Sequence, residues 1–396
     1  MRAPSWVRFK MARLLVLADD FTGALDTGVQ FSKEGISAFM STDTSLTMIG
    51  RPEEVLIIDT ETRTLPPEDA RAIVLDISLR AVAAGISMLY KKTDSTLRGN
   101  IGAELVAAAE AFAAPLAFVP AYPQNGRTTI DSIQYLNGLP IDQTGLKDDP
   151  INPVTSSFIP DIIAQTSDIP VVCDGSLDRG TISVFDAQSQ ADLEAVFATL
   201  ARAGKLSLTA GCAGFAGVLA KADIFSRAPQ EITKRRGRML AVCGSINQTS
   251  IEQCEAAKAA GFAVETLSGR RLFEADEAEL SAIATELSLR FQNDFLLLLT
   301  DGDRSLPPNA PEQIASAIGA IAETLICEDV SHLILFGGNT AAAIMKRAGL
   351  SGFSPRTELS PGIVWSETEN LSIITKAGGF GGQNVVAEIV EYIQNV

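Results

Sequence analysis

The feature that most restricts the fold is a repeated unit: a short apolar run that stops at a polar, glycine- or proline-marked loop, followed by helical periodicity. Leu14 to Ala18 stops at Asp19-Asp20-Phe21-Thr22-Gly23, and a helix is expected from Ala24 to Lys33. Val55 to Ile58 stops at Asp59-Thr60-Glu61-Thr62-Arg63; a helix is expected from about Pro67 to Ala84, since proline and acids suit a helix start. Ile86 to Tyr90 runs into Lys91-Lys92-Thr93-Asp94-Ser95-Thr96-Leu97-Arg98-Gly99, with an alanine-rich helix from Ala103 to Ala114. Leu116 to Val119 stops at Pro120-Ala121-Tyr122-Pro123, ahead of Gly126-Arg127-Thr128. Each helix returns the chain to the edge it started from, so the strands run parallel and their terminal loops line one edge. Open sheets of this kind bind ligands at that edge.

At 396 residues the chain is too long for one small core. The proline-bearing, basic stretch from Arg227 to Arg238 is the best boundary, and alternation starts again after it. The second half shows strands at Met239 to Cys243, Val264 to Leu267, Phe295 to Thr300, Leu333 to Phe336 and Leu371 to Lys376, with one long helix expected from Glu274 to Gln292. The expectation is an α/β protein of two domains, 12–230 and 238–396. Each is a mainly parallel sheet flanked by helices, and the active site is expected in the cleft between them. Turn signals from Ile130 to Pro160 mark a long functional loop or hairpin, and further strands are expected at Val171, Ile182 and Leu206.

A net charge of -16 disfavours nucleic acid and anionic membranes as partners, but a local basic pocket can still hold a small anion. Five cysteines without a C-x-x-C pair read as reduced thiols of a cytoplasmic protein. His332 is the only histidine, and its place at a strand start favours a structural role over a triad or metal site. The apolar run after the basic Met1 to Arg13 segment is too short for a signal-peptide core, which leaves Met11 as a candidate natural start.

The densest reactive chemistry lies between Lys91 and Glu104, where Lys91, Lys92, Asp94, Ser95, Thr96 and Arg98 are candidates for one anionic-ligand site. Phosphate binding needs small residues where a strand meets a helix. Gly244-Ser245, Gly337-Gly338-Asn339-Thr340 and Gly378-Gly379-Phe380-Gly381-Gly382 meet that need. No Walker A pattern exists, and no G-x-G-x-x-G follows a strand, so the pattern does not support NAD. Phosphoryl transfer also asks for cations, Mg²⁺ and a carboxylate that takes the acceptor proton. Asp19, Asp20 and Asp94 are the candidate carboxylates, and Lys91, Lys92, Arg63, Arg98 and Arg127 the candidate cations. Adjacent residues on a strand point apart, so one of Asp19 and Asp20 can face ligand while the other caps the next helix.

These motifs together resemble the four-carbon acid sugar kinase family. The resemblance rests on Asp19-Asp20-x-Thr22-Gly23-Ala24, the run Lys92 to Glu104, Pro120 to Pro123 with Gly126-Arg127-Thr128, Gly337-Gly338-x-Thr340, and Lys376-x-Gly378-Gly379-Phe380-Gly381. It implies a kinase that uses ATP and Mg²⁺ to phosphorylate the terminal hydroxyl of threonate, erythronate or a 3-oxo-tetronate. It also implies an amino-terminal substrate domain and a carboxyl-terminal nucleotide domain. Substrate binding would fall on Asp19, Arg63, Lys92, Thr93, Asp94, Ser95 and Arg127, with Arg63 and Lys92 on the carboxylate. Asp94 or Asp20 would be the base. ATP binding would fall on Ser245, Gly337, Gly338, Asn339, Thr340, Gly378 and Gly379; the metal ligands stay open, as does a homo-oligomer. Two departures stand out. Asp149-Pro150-Ile151-Asn152-Pro153-Val154 replaces a His-Pro-Met-Thr-Pro-Met type segment, which bears on substrate identity, and Ala377 replaces a serine after the last lysine. The alternative of another class is a non-catalytic sugar-acid sensor on the same fold.

Overall fold

A strand that is apolar on both faces belongs in the middle of a sheet covered on both sides, and LLVLA and VLIID are such strands, buried at every position. The computed structural model describes residues 12–47, 51–149, 151–244, 247–291, 294–301, 305–307, 309–326 and 330–395. It divides into two compact units between Gln230 and Glu231.

The first unit contains β1 (Leu14–Ala18), α1 (Phe21–Lys33), β2 (Ala38–Ser41), β3 (Val55–Asp59), α2 (Pro67–Ala83), β4 (Met88–Lys92), α3 (Ile101–Phe112) and β5 (Leu116–Val119). It continues through β6 (Arg127–Ile130), β7 (Ile133–Leu136), β8 (Leu139–Pro140), α4 (Ile159–Ala164), β9 (Val171–Val172), β10 (Ile182–Val184), α5 (Gln190–Arg202), β11 (Leu208–Gly211) and α6 (Ala213–Leu219). The main strands run in the order β2-β3-β1-β4-β11-β5-β10-β9, every pair parallel. One core face stacks Leu15, Leu17, Leu56, Ile58 and Leu89 against Leu105, Ala108 and Ile77 of the helices. The sequence order reverses around β1: β2 and β3 lie to one side of it and β4 to the other. That makes the carboxyl ends of β3, β1 and β4 a topological switch point.

The second unit contains β12 (Arg238–Cys243), α7 (Gln248–Ala259), β13 (Val264–Leu267), α8 (Gly269–Glu274), α9 (Glu277–Arg290), β14 (Phe295–Thr300), α10 (Ala310–Ile326) and β15 (Val330–Phe336). It ends with α11 (Gly338–Arg347), β16 (Gly352–Ser360), β17 (Ile363–Glu367), β18 (Ser372–Lys376) and α12 (Val385–Asn395). Its order is β13-β14-β12-β15-β18-β17-β16, parallel as far as β18 and antiparallel beyond.

Several local expectations change. Ala38–Ser41 is a strand, paired in parallel with β3, that the sequence pattern passed over because it is short and no turn chemistry closes it. The helix expected from Glu274 to Gln292 is α9, which starts three residues later because Asp276 caps it by accepting from the Glu279 amide at 2.9 Å; Glu274 instead ends the separate short helix α8, which the sequence pattern passed over. The β16–β17 hairpin was not foreseen. The Ile130 to Pro160 segment forms a small antiparallel sheet, β6-β7-β8, with short 3-10 turns and the start of α4. His332 is buried within β15, beside Trp365 and bonded through Nδ1 to the Ser331 hydroxyl at 2.7 Å, and burial lowers its pKa to about 4. It is a neutral core residue. Of the cysteines, Cys212, Cys243 and Cys254 are buried free thiols, Cys173 is exposed, and Cys327 lies outside the described residues.

Lys91 corrects a larger expectation. It was a candidate cation for the ligand site, yet its ammonium is 0% exposed, 2.7 Å from the Glu104 carboxylate of α3, and donates to the carbonyls of Leu17 and Lys92. The Thr62 hydroxyl also donates to Glu104. This ion pair fastens β4 to α3. Removing one partner of such a pair leaves an uncompensated buried charge. Lys91→Met should therefore cost about 3–5 kcal/mol of stability, and Lys91→Met with Glu104→Gln should recover most of it. Urea midpoints of the two variants check this; equal losses would refute it.

Candidate functional site

The chemistry of the first unit collects at its switch point. Asp19 and Asp20 follow β1, Arg63 follows β3, and Lys92 to Arg98 end β4 and open the loop beyond it. Arg63 organises them. Its guanidinium holds Asp19 through two bonds, Nε to Oδ2 at 2.7 Å and Nη2 to Oδ1 at 3.0 Å. Nη2 also reaches Asp20 Oδ1 at 2.5 Å and stands 3.8 Å from Asp94 Oδ1. Asn100 pins the loop that carries Arg63, donating to the carbonyls of Thr62 and Leu65 at 2.8 Å each. Burial pushes the Asp19 carboxyl up, but the Arg63 guanidinium and the two neighbouring lysines outweigh it and hold it below the usual range. For Asp94 burial likewise acts upward, while Arg98 and Arg63 pull it well below the usual carboxylate range.

The two adjacent aspartates divide their work. Asp19 is committed to Arg63. Asp20 caps α1: its Oδ1 accepts from the Gly23 amide at 3.2 Å and its Oδ2 from the Thr22 hydroxyl at 2.8 Å. Position 23 must be glycine for reasons of space, because a Cβ there would lie 2.4 Å from Asp20 Oδ1 and 2.8 Å from Lys92 Nζ. The same numbers place the Lys92 ammonium over the first turn of α1. Lys92 is 4% exposed and donates to the Thr93 carbonyl at 2.8 Å; among the described residues no carboxylate pairs with it. A buried cation beside a helix amino terminus, without a carboxylate of its own, fits an anion.

Asp94 is bound through both oxygens by Arg98, at 3.0 and 3.1 Å, and accepts from the Thr96 hydroxyl. Arg98 also reaches Asp149 at 3.5 Å, which links this loop to the segment that departs from the family pattern. Of the other candidates, Thr93 has a buried hydroxyl without a partner, and the Ser95 carbonyl accepts from Gln134 at 3.0 Å. Arg127, opening β6, donates to the Asn125 carbonyl and lies near enough to Asp94 to feel its charge.

One carboxyl was missed by the sequence reading. Asp59, the last residue of β3, stands opposite Ala18 in the ladder and is 1% exposed. Its Oδ1 accepts from the Glu61 amide at 3.1 Å and its Oδ2 has no partner. Burial, with Asp20 and Glu61 as negative neighbours, raises its pKa well above the ordinary value. The signal available in the sequence was parity, since β1 and β3 are in register and Asp59 shares a face with Ala18 and Asp20 rather than with Asp19.

In the second unit the glycine loops stand at the carboxyl ends of β12, β15 and β18, which are neighbours in the sheet. Gly337 caps α11, whose first turn holds Gly338, Asn339 and Thr340, and its amide donates to the Lys376 carbonyl at 3.0 Å. A Cβ on Gly244 would meet the Thr340 hydroxyl at 2.4 Å, so these two loops touch. Gly378 and Gly379 are exposed, and Ser245 lies outside the described residues. Among the described residues no group of three or more His, Cys, Asp or Glu is placed to hold a metal ion, and no helix is long and apolar enough to cross a membrane.

Two family models match the chain, a sugar-binding N-terminal domain over residues 14–219 and a nucleotide-binding C-terminal domain over residues 240–386. The chain belongs to the four-carbon acid sugar kinase family. Its relatives include a D-threonate kinase of Salmonella typhimurium, 31% identical over 97% of this chain and 99% of that one. A 3-oxo-tetronate kinase of Methylobacterium radiotolerans is 28% identical over 92% of this chain and 96% of the relative. The fold recurs in the crystal structure of a Haemophilus influenzae protein, with a TM-score of 0.71 at 20% identity over 96% of this chain and 99% of that one.

Asp59 gives a pH test. An acid whose folded pKa is raised stabilises the fold below its unfolded pKa, about 3.9, and that contribution is lost as pH rises through the folded value. Asp59→Asn, which cannot ionise, should match the wild type near pH 4 and gain on it as pH rises above that. Denaturant melts across that range check it; a difference that does not change with pH would refute it.

Proposed function

We propose that this chain phosphorylates the terminal hydroxyl of a four-carbon sugar acid, a threonate, erythronate or 3-oxo-tetronate, with ATP as donor. The observation that carries the reading is the Lys92 ammonium, buried beside the α1 amino terminus without a carboxylate partner and flanked by carboxylates that Arg63 holds in place. A sugar acid supplies what this arrangement lacks. Its carboxylate would pair with Lys92 and accept from the partnerless Thr93 hydroxyl, and its own hydroxyls would donate to the carboxylates.

Asp20 is the residue we assign as base. Asp94 is held through both oxygens by a guanidinium that depresses its proton affinity, which suits a role in fixing Arg98 and orienting substrate. Asp20 has the more accessible side chain, 20% against 11%, and its Oδ2 is engaged only by Thr22. There it would take the proton of the acceptor hydroxyl as the phosphoryl group arrives. Residues 12–230 would bind the acid and 238–396 the nucleotide, with Gly337 to Thr340, Gly378 and Gly379 offering amides to its phosphates. The donor set suits a nucleotide-borne Mg²⁺, held mainly by phosphate oxygens and water with one or two carboxylates, as this ion prefers.

Asn keeps a helix cap as well as Asp does, so Asp20→Asn removes the base and spares the fold. It should stay folded, melting somewhat below the wild type because one charge paired with Arg63 is lost, and lose about 10²–10⁴-fold in kcat. Wild-type kcat in Asp20→Asn would remove Asp20 from the base role. The broader reading is tested by ADP release from ATP·Mg²⁺ with a panel of four-carbon acids. Turnover of at least one is expected; binding of an acid without turnover of any would favour the sensor.

A further inference from the structure

The loop that follows β18 is held from beneath in an unusual way. Gln253, one turn and a half into α7 and 1% exposed, directs its side-chain nitrogen to three carbonyls of this loop: Phe380 at 3.1 Å, Gly381 at 3.0 Å and Gly382 at 3.1 Å. Lys376, 0% exposed, donates to the Gly378 carbonyl and to the Ser250 hydroxyl of α7 at 3.2 Å. Four carbonyls of the loop thus point toward α7 and the end of β18. In a trans peptide the N–H points opposite to the carbonyl of the preceding residue. The amides of Gly379, Gly381, Gly382 and Gln383 are therefore turned the other way. All four residues are exposed, and among the described residues none of these amides donates within the chain.

The arrangement is kept at a cost. Three carbonyl acceptors require the nitrogen end of the Gln253 amide, and this leaves its Oε1 buried without a partner. An unsatisfied buried acceptor is unfavourable, and the loop that Gln253 holds is glycine-rich and exposed apart from the half-buried Phe380. Successive free amides on a glycine loop are the groups from which concave anion sites are built.

Resting on the kinase reading above, we propose that Gln253 is a positioning residue for the nucleotide: with Lys376 it turns the loop carbonyls inward, so that the amides of residues 379 and 381–383 face a phosphate. Gln253 does not touch the nucleotide. Its effect reaches phosphate only through the peptide planes it orients.

Gln253→Glu tests this with almost no change of shape, because it sets carboxylate oxygen against three carbonyl oxygens and drives the peptides to turn over. At pH 8 its Kd for ADP·Mg²⁺, measured by calorimetry, should rise at least tenfold. KM for ATP should rise with it, while the Kd of the sugar acid stays within threefold of the wild type. A merely structural role would weaken both ligands together or lower the melting temperature alone. Wild-type ADP affinity in a folded Gln253→Glu protein would overturn the proposal. Should that variant not fold, Gln253→Met removes the donor without adding charge and must bind ADP at least threefold more weakly; unchanged affinity would again overturn it. The two readings fail differently. A wild-type chain that binds no ADP at all sinks the kinase reading and this proposal with it, whereas wild-type binding that ignores residue 253 sinks this one alone.

Discussion

The guanidinium of Arg63 is the constraint on which the geometry of the first unit's candidate site depends. Three carboxylates, on the turn after β1 and the loop after β4, lie within 4 Å of it. Without it their mutual repulsion in a largely buried setting would raise pKa values or push the loops apart. With it, both neighbouring aspartates are bound to one cation, and Asp20 also caps a helix. Around this centre the sheet supplies rigidity. The residues that precede the charged loops are strand ends fixed by parallel ladders, and Asn100 and the Lys91–Glu104 pair tie the same loops to α3.

Much of this was legible in the chain because the alternation of apolar runs and polar loops fixes both the sheet and the edge where its loops gather. The strand ends carrying Asp19-Asp20, Lys92 and the glycine loops were found by that logic. What escaped it was decided by side-chain direction. Lys91 and Lys92 are adjacent and chemically alike, and only the strand's pleat sends one toward Glu104 and the other toward Gly23. Composition cannot distinguish them. Asp59 and Gln253 escaped for a related reason: one ends a strand and the other lies inside a helix, and each gains importance from a partner far away in sequence. The missed β2 and the β16–β17 hairpin are short or edge elements whose existence is decided by pairing rather than by local pattern.

Both units begin with the same winding. In each, the third strand lies between the second and the first, and the fourth on the first strand's other side. The candidate ligand groups of each unit stand at the reversal this creates, acidic and cationic in one and glycine-rich in the other. One topological solution thus carries two kinds of candidate site, one of paired charges and one of glycine amides.

The charges gathered around Arg63 nearly cancel. Asp19, Asp20, Asp94 and Asp149 face Arg63, Lys92, Arg98 and Arg127, while the chain as a whole carries -16. On the proposed reading, a site that is locally neutral projects little field beyond its walls, so an approaching acid would meet the negative exterior first and the ammonium only on arrival. Capture would then depend on short-range fit rather than steering. Added salt, by screening that exterior, would hasten the encounter instead of slowing it, the reverse of what a basic binding cleft gives.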